Sequence, residues 1–251
     1  MTAGAAKRPE HFRDERTYRS RMKAENLVRF DVRVYETDLC ILAEKDLTKL
    51  ALAKVVDLRN DLTRYADVHE DFYGSLAPLE AADGAPEVVG RMCRAAAAWE
   101  VGPMAAVAGT FAEMVGEALL EKSAEVIVEN GGDIFIAARR PREVEIYSGA
   151  GSPWAGRLSV RIAPESGIRG VCTSSGTIGH SFSRGKADAV AAFAESAAFA
   201  DAAATAVGNR VKSAADVERI VDEEKRRGAL KGLVIVAGPT MGAFGEVEFV
   251  E

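Results

Sequence analysis

From residue 28 the chain alternates cleanly: Val28, Phe30, Val32 and Val34 are apolar, while Arg29, Asp31 and Arg33 are charged. A period of two predicts a half-buried strand over Val28–Val34, and the more continuously apolar Thr37–Ala43 predicts a second. Only Tyr35 and Glu36 separate them, so a hairpin is expected, although neither is a favoured turn residue. Leu47, Leu50, Val55, Leu58 and Leu62 then recur at helical spacing and predict an amphipathic helix from Asp46 to about Val68. Pro78–Pro86 reads as a loop, with Pro86 opening a helix that runs to about Trp99. Val101–Met104 breaks that helix and starts another, Ala105 to Lys122. Its Ala105, Ala108, Gly109, Ala112 and Gly116 leave one face nearly bare, suited to close approach of a neighbouring backbone or a flat ligand.

Short β-branched runs with glycine punctuation follow: Glu125–Glu129, Ile134–Ala138, Val144–Ser148, Leu158–Ile162 and Gly170–Thr173. Strands this close together predict an antiparallel or mixed sheet. Ala189–Ala194 is dominated by alanine and fits a strand or a helix start. Ala197–Val211 and Ala214–Arg227 read as helices, the second capped by Ser213 and ended by Gly228. Leu233–Ala237 and Glu246–Val250 close the chain as strands around turns at Gly238–Pro239 and Gly242. Strands and helices in this order make an α+β or mixed α/β fold rather than a plain doubly wound sheet. No repeat with a solenoid-like period is visible.

Composition sharpens the picture without changing it. The 251 residues are 48% hydrophobic and 28% charged, which supports a sizeable core. Residues 1–25 are expected to form a polar N-terminal extension and 26–251 a single domain. Aromatics are only 7% while glycines number 23, so the core should be close-packed. A formal charge of −6 argues against a nucleic-acid or anionic-membrane partner, and no run of apolar residues is long enough to span a bilayer. Cys40, Cys93 and Cys172 are odd in number and far apart, so reduced thiols and a cytoplasmic location are expected.

Three segments concentrate small and polar residues beside strands. Glu129–Asp133 carries Asn130, Gly131 and Gly132, which serve equally as an ordinary hairpin turn or as a backbone that lets a ligand come close. Gly170–Lys186 holds Thr173, Ser174, Ser175, Gly176, Thr177, His180, Arg184 and Lys186, the hydroxyls, amides and cations a phosphate needs, or else a solvated serine-rich loop. It is not a P-loop, and no nucleophile elbow is present. In Ala200–Asn209, Asp201 and Thr205 share a helix face one turn apart. Together they suit a hard cation such as Mg²⁺; alternatively Asp201 caps the helix and Thr205 packs. No zinc-ligand spacing occurs.

Taken in order, the segments resemble the ApbE-type flavin transferases (FAD:protein FMN transferases), which move FMN from FAD onto a threonine of a target protein. The wording of Glu36–Leu39, Val101–Gly109, Val128–Asp133, Cys172–Thr177 and Gly185–Ala189 is closer to an ApbE-like family related to them. The resemblance implies an ApbE-like, T-fold-resembling α+β architecture of two similar interlocked halves, with mixed or antiparallel sheets backed by helices. It implies that Asp201 and Thr205 hold Mg²⁺ and that Gly109, Asn130, Gly131, Gly132, Thr173, Ser174, Ser175 and Gly176 line a flavin site, with His180 catalytic. The pattern departs from the transferases at Ala108-Gly109…Glu113, which lacks their lysine, and at His180–Gly185, which is two residues shorter and lacks their acid and proline. The expected function is Mg²⁺-dependent binding of FAD with FMN or nucleotidyl transfer to an acceptor protein. Its rivals are a non-catalytic binder of a flavin, nucleotide or other phosphorylated ligand, or an enzyme of a different reaction on the same scaffold. A homo-oligomer is compatible with all three.

Overall fold

A computed structural model of the protein describes residue 19 and residues 24–176, 185–245 and 247–250. Among these, eight strands make up the main sheet: β1 (Val28–Val34), β2 (Thr37–Ala43), β3 (Val126–Asn130), β4 (Asp133–Ala137), β7 (Gly170–Ser174), β8 (Ala189–Ala194), β9 (Gly232–Ala237) and β10 (Thr240–Gly245). They lie side by side in that order, and every pairing is antiparallel. Between β2 and β3 the chain forms α1 (Thr48–Val68), α2 (Glu87–Ala98) and α3 (Val107–Leu120); between β8 and β9 it forms α4 (Ala197–Arg210) and α5 (Asp216–Arg227). The sheet thus divides into two halves of one plan, hairpin, helices, hairpin, joined where β4 pairs with β7. This is the expected α+β architecture.

The helices cover one face of the sheet. Part of the other is covered by a three-stranded sheet of β11 (Glu248–Val250), β6 (Ser159–Ile162) and β5 (Arg142–Glu145). Two cores result. Leu39, Ile41, Val128, Phe135, Val190 and Ile235 face the helices, while Ile127, Ile134, Ile136, Val171, Phe193 and Val234 face the small sheet. Burial on both faces explains why β2, β8 and β9 read as continuous apolar runs. By contrast, β1 at the edge alternates because Arg29, Asp31 and Arg33 face solvent.

Several boundaries differ from the sequence expectation. Ala189–Ala194 is a strand with all six residues buried, its small side chains fitting between helices and second sheet. Gly242 is not a turn; it lies inside β10, where a Cβ would stand 2.8 Å from Val217 of α5. Pro86 lies just outside α2, which begins at Glu87. Ser213 does not cap α5. That helix starts at Asp216, whose carboxylate accepts the N–H groups of Ser213 and Lys212 at 3.0 and 3.1 Å. The strand expected to reach Ser148 ends at Glu145.

α3 and α4 approach each other almost backbone to backbone. A Cβ on Gly109 would sit 2.3 Å from the Ala197 carbonyl oxygen and 2.7 Å from the Asp201 Cβ. Gly170 likewise brings β7 against α4, where a Cβ would stand 2.5 Å from the Ala197 Cα. The small residues of the two helices are therefore a packing requirement. Gly109→Ala is expected to destabilise the protein by about 3 kcal/mol, because the obstacle is backbone that cannot rotate away. Gly151→Ala, with nothing within 4 Å of the new methyl, should change stability by less than about 1 kcal/mol. Urea midpoints of the two variants check this; equal midpoints would refute the packing argument.

Candidate functional site

The site grows from the way α3 and α4 begin. α3 follows a 3-10 turn at Pro103–Ala106 and has no side-chain cap of its own. Instead the Gly109 N–H donates to Asp201 Oδ2 of α4 at 2.8 Å. α4 is capped by Ser196, which accepts from the Phe199 N–H. Glu113 of α3 reaches across to the same end: its Oε2 accepts from Ser196 Oγ at 2.7 Å, Ala197 N–H at 2.5 Å and Ala198 N–H at 3.2 Å. Each helix start is therefore closed by a carboxylate from the other helix, where free N–H groups and the helix dipole favour negative charge. Asp201 does cap a helix, but not its own.

Asp201 is 9% exposed. Burial pushes its carboxyl up to about 7, against the lowering pull of the Gly109 and Ala108 amides. Thr205 follows one turn later on α4 and is half-buried. Asn130, at the end of β3, donates from Nδ2 to the Ala108 carbonyl at 3.1 Å and so fastens the hairpin to the start of α3. Gly131 and Gly132 form a two-residue hairpin turn with φ of +69° and +107°, values that demand glycine. The Gly132 N–H donates to Glu129 Oε1 at 2.8 Å. Glu129 is fully buried on the other face of the sheet, held by Arg19, which also binds Asp38.

Opposite the turn, Asp133 pairs with Cys172 across β4 and β7. Asp133 is 8% exposed, its Oδ1 has no hydrogen-bond partner, and burial followed by the neighbouring Asp201 holds its carboxyl well above the usual range. The Cys172 thiol donates to the Ala197 carbonyl at 3.2 Å, and burial between two carboxyls raises it well above the ordinary thiol value. Ser174 faces α4, 3.7 Å from where a Cβ on Gly208 would stand, whereas the alternating Thr173 side chain turns to the opposite face. After Ser175, the Gly176 N–H binds the Ala187 carbonyl at 2.9 Å and the Lys186 N–H binds the Val211 carbonyl at 2.8 Å, so the backbone on either side of residues 177–184 is fixed. His180, Thr177 and Arg184 lie outside the described residues.

Gly109, Asn130, Asp201, Thr205 and Ser174 are thus gathered at one end of the α3–α4 seam. Asp133 is the member that no sequence motif singles out; its signal is a carboxylate placed directly before the apolar run Ile134–Ala138. Among the described residues no group of three or more His, Cys, Asp and Glu side chains could hold a metal. The donors here are two carboxylates and a hydroxyl, all hard oxygen. The related start of α4 opens onto a groove of about 940 Å³. There every acid has a basic partner: Arg91 pairs with Glu87, Glu113 and Glu117, Arg94 with Glu87, and Lys231 with Glu195. Among the described residues no helix is long and apolar enough to cross a membrane.

Comparison with known proteins gives a consistent picture. The fold is similar to the apo flavinyl transferase ApbE of Pseudomonas stutzeri, with a TM-score of 0.55, 13% identity and coverage of 87% of this chain and 94% of that one. A point variant of the flavin transferase ApbE from Vibrio cholerae matches at a TM-score of 0.57 and 12% identity, over 87% and 96% of the two chains. At that level of identity the likeness is one of fold. In sequence, the UPF0280 protein of Methanopyrus kandleri is 41% identical over 218 residues, covering 84% of this chain and 88% of the relative. The UPF0280 protein of Methanothrix thermoacetophila is 39% identical over 227 residues, covering 88% and 93%. The family model described as AbpE bacteria matches residues 19–228, and on these matches the chain belongs to that family.

Proposed function

We propose that the protein binds FAD through its pyrophosphate, with a divalent cation held by Asp201 and Thr205, and cleaves it to AMP while passing the FMN phosphoryl group to a hydroxyl of an acceptor protein. The observation that carries this reading is the buried Asp201 carboxylate at the start of α3, one turn from a half-buried hydroxyl and beside an open glycine turn. The fold likeness to proteins named flavin transferases supports the choice of FAD. The residues fit the cation, since oxygen donors of this kind suit Mg²⁺. A bound cation would supply charge stabilisation to the pyrophosphate oxygens.

The remaining work falls to the chain. Asn130 fixes the Ala108 carbonyl and hence the register of the first turn of α3. The Gly131–Gly132 turn carries no side chain to obstruct the flavin. Ser174 presents a hydroxyl toward the phosphate path. In the transfer the acceptor oxygen forms a bond to the FMN phosphorus, the bridging oxygen leaves with AMP, and the acceptor proton departs to a base. His180 is the residue proposed for that base. The rival reading, a binder without transfer, draws on Glu113: in this chain that carboxylate is committed to the start of α4 and to Arg91, and no lysine accompanies it.

Incubating the protein with FAD and Mg²⁺ should release AMP, measured by chromatography, and Asp201→Asn should slow release by at least ~100-fold. Absence of AMP with and without acceptor proteins, but with flavin fluorescence still quenched on binding, would support the binder instead. Cation binding needs the Asp201 carboxylate, whose proton leaves at about 7. The apparent affinity for Mg²⁺ should therefore fall by at least about tenfold per unit well below that pH. Calorimetric titration from about pH 5 to about pH 9 checks the profile; a flat one would remove Asp201 from the ligand set.

A further inference from the structure

Resting on that reading of the cation site, we infer that Asp133 is a second carboxylate ligand of the same divalent cation, on the strand side of the seam opposite Asp201. The inference comes from how this protein treats buried negative charge. Glu113 is bound by Arg91, Glu125 by Arg142 at 2.6 Å, Glu129 by Arg19 at 2.6 Å, and Glu224 by Arg210. All four are buried, and each has a guanidinium beside it. Asp133 and Asp201 are the other buried acids among the described residues, and no cationic side chain there pairs with either. Two neighbouring carboxylates removed from water, without a counter-charge, are an arrangement that only a proton or a bound cation relieves.

Geometry favours the cation. Asp133 keeps Oδ1 without any partner although it is more than nine-tenths buried, while the Thr173 amide serves the rest of the carboxyl. Cys172 in turn donates to the Ala197 carbonyl, and Ala197 lies one turn before Asp201 on the same face of α4. Asp133 is therefore held at the seam with one oxygen left over. The same surroundings select the ion. The Cys172 thiol is engaged with the Ala197 carbonyl, and the two carboxyls and the Thr205 hydroxyl are hard oxygens, suited to Mg²⁺ or Mn²⁺.

The test uses the full chain, stripped of metal and without FAD. Calorimetric titration with Mg²⁺, repeated with Mn²⁺ and followed by electron paramagnetic resonance, is run on wild type, Asp133→Asn and Asp201→Asn. The expected result is binding by wild type, affinity at least ~10-fold weaker in Asp133→Asn, and none in Asp201→Asn. The melting temperature of metal-free Asp133→Asn should be no lower than that of wild type, because the substitution replaces a buried carboxyl that has no cationic partner beside Asp201. Mg²⁺ should raise it less than it raises wild type. Infrared difference spectra of wild type should show two carboxyl groups changing on cation binding, a readout that does not depend on any variant folding. Wild-type affinity in Asp133→Asn together with loss in Asp201→Asn, or a single carboxyl changing in the infrared, would overturn the inference and leave the cation site at Asp201 standing. Failure of wild type to bind either ion would overturn both.

Discussion

The exchange of carboxylates between α3 and α4 is the constraint on which the rest of the structure depends. Asp201 leaves its own helix to close the start of α3, and Glu113 leaves α3 to close the start of α4. Neither reach is long, so the helices must cross almost backbone to backbone, which only Gly109 and the alanines of α4 permit. That crossing sits over the junction of β4 and β7, where the two halves of the sheet meet. The start of each helix therefore keeps N–H groups without a partner until the other half is in place, which ties the two halves together.

The two ends of the seam share a plan and differ in charge. At the start of α4 the Glu113 carboxylate is answered by Arg91, and the surrounding groove is filled with matched acids and bases. At the start of α3 the matching carboxylate, Asp201, meets a second acid instead. Burial raises both aspartates because charge is costly in a dry site, and the helix amides offset only part of that cost for Asp201. The asymmetry separates a structural cap from a cap with chemical potential.

Much of the frame was legible along the chain because local patterns report local burial. The alternation of β1 follows from its edge position, and the unbroken apolar run of β2 follows from cover on both faces. Ala108, Gly109, Ala112 and Gly116 pointed to close approach, which the structure shows at Gly109 against α4 and at Gly116 against the Phe135 ring. Positions whose meaning depends on a distant element were not legible. Gly242 looked like a turn because nothing nearby in sequence announces α5 above it. The alanines of β8 have no period that distinguishes strand from helix. Arg19 and Glu129 are 110 positions apart, and no local signal joins them. Asp201 offered two roles on spacing alone, and its actual partner, the Gly109 amide, lies 92 residues away.

The fixed stems on either side of the 177–184 segment have a consequence for how such proteins diversify. Gly176 and Lys186 are tied to Ala187 and Val211, and Gly185 lies against the Gly208 carbonyl, so the segment begins and ends on anchored backbone. Between anchors of this kind in general, doubling the length of a connection costs only about 0.6 kcal/mol of closure entropy. The aspartates on α4 and β4 are held by other contacts, the Gly109 amide and the pairing of β4 with β7. The reagent a protein of this kind brings to its ligand is thereby inherited separately from the frame that holds the charge.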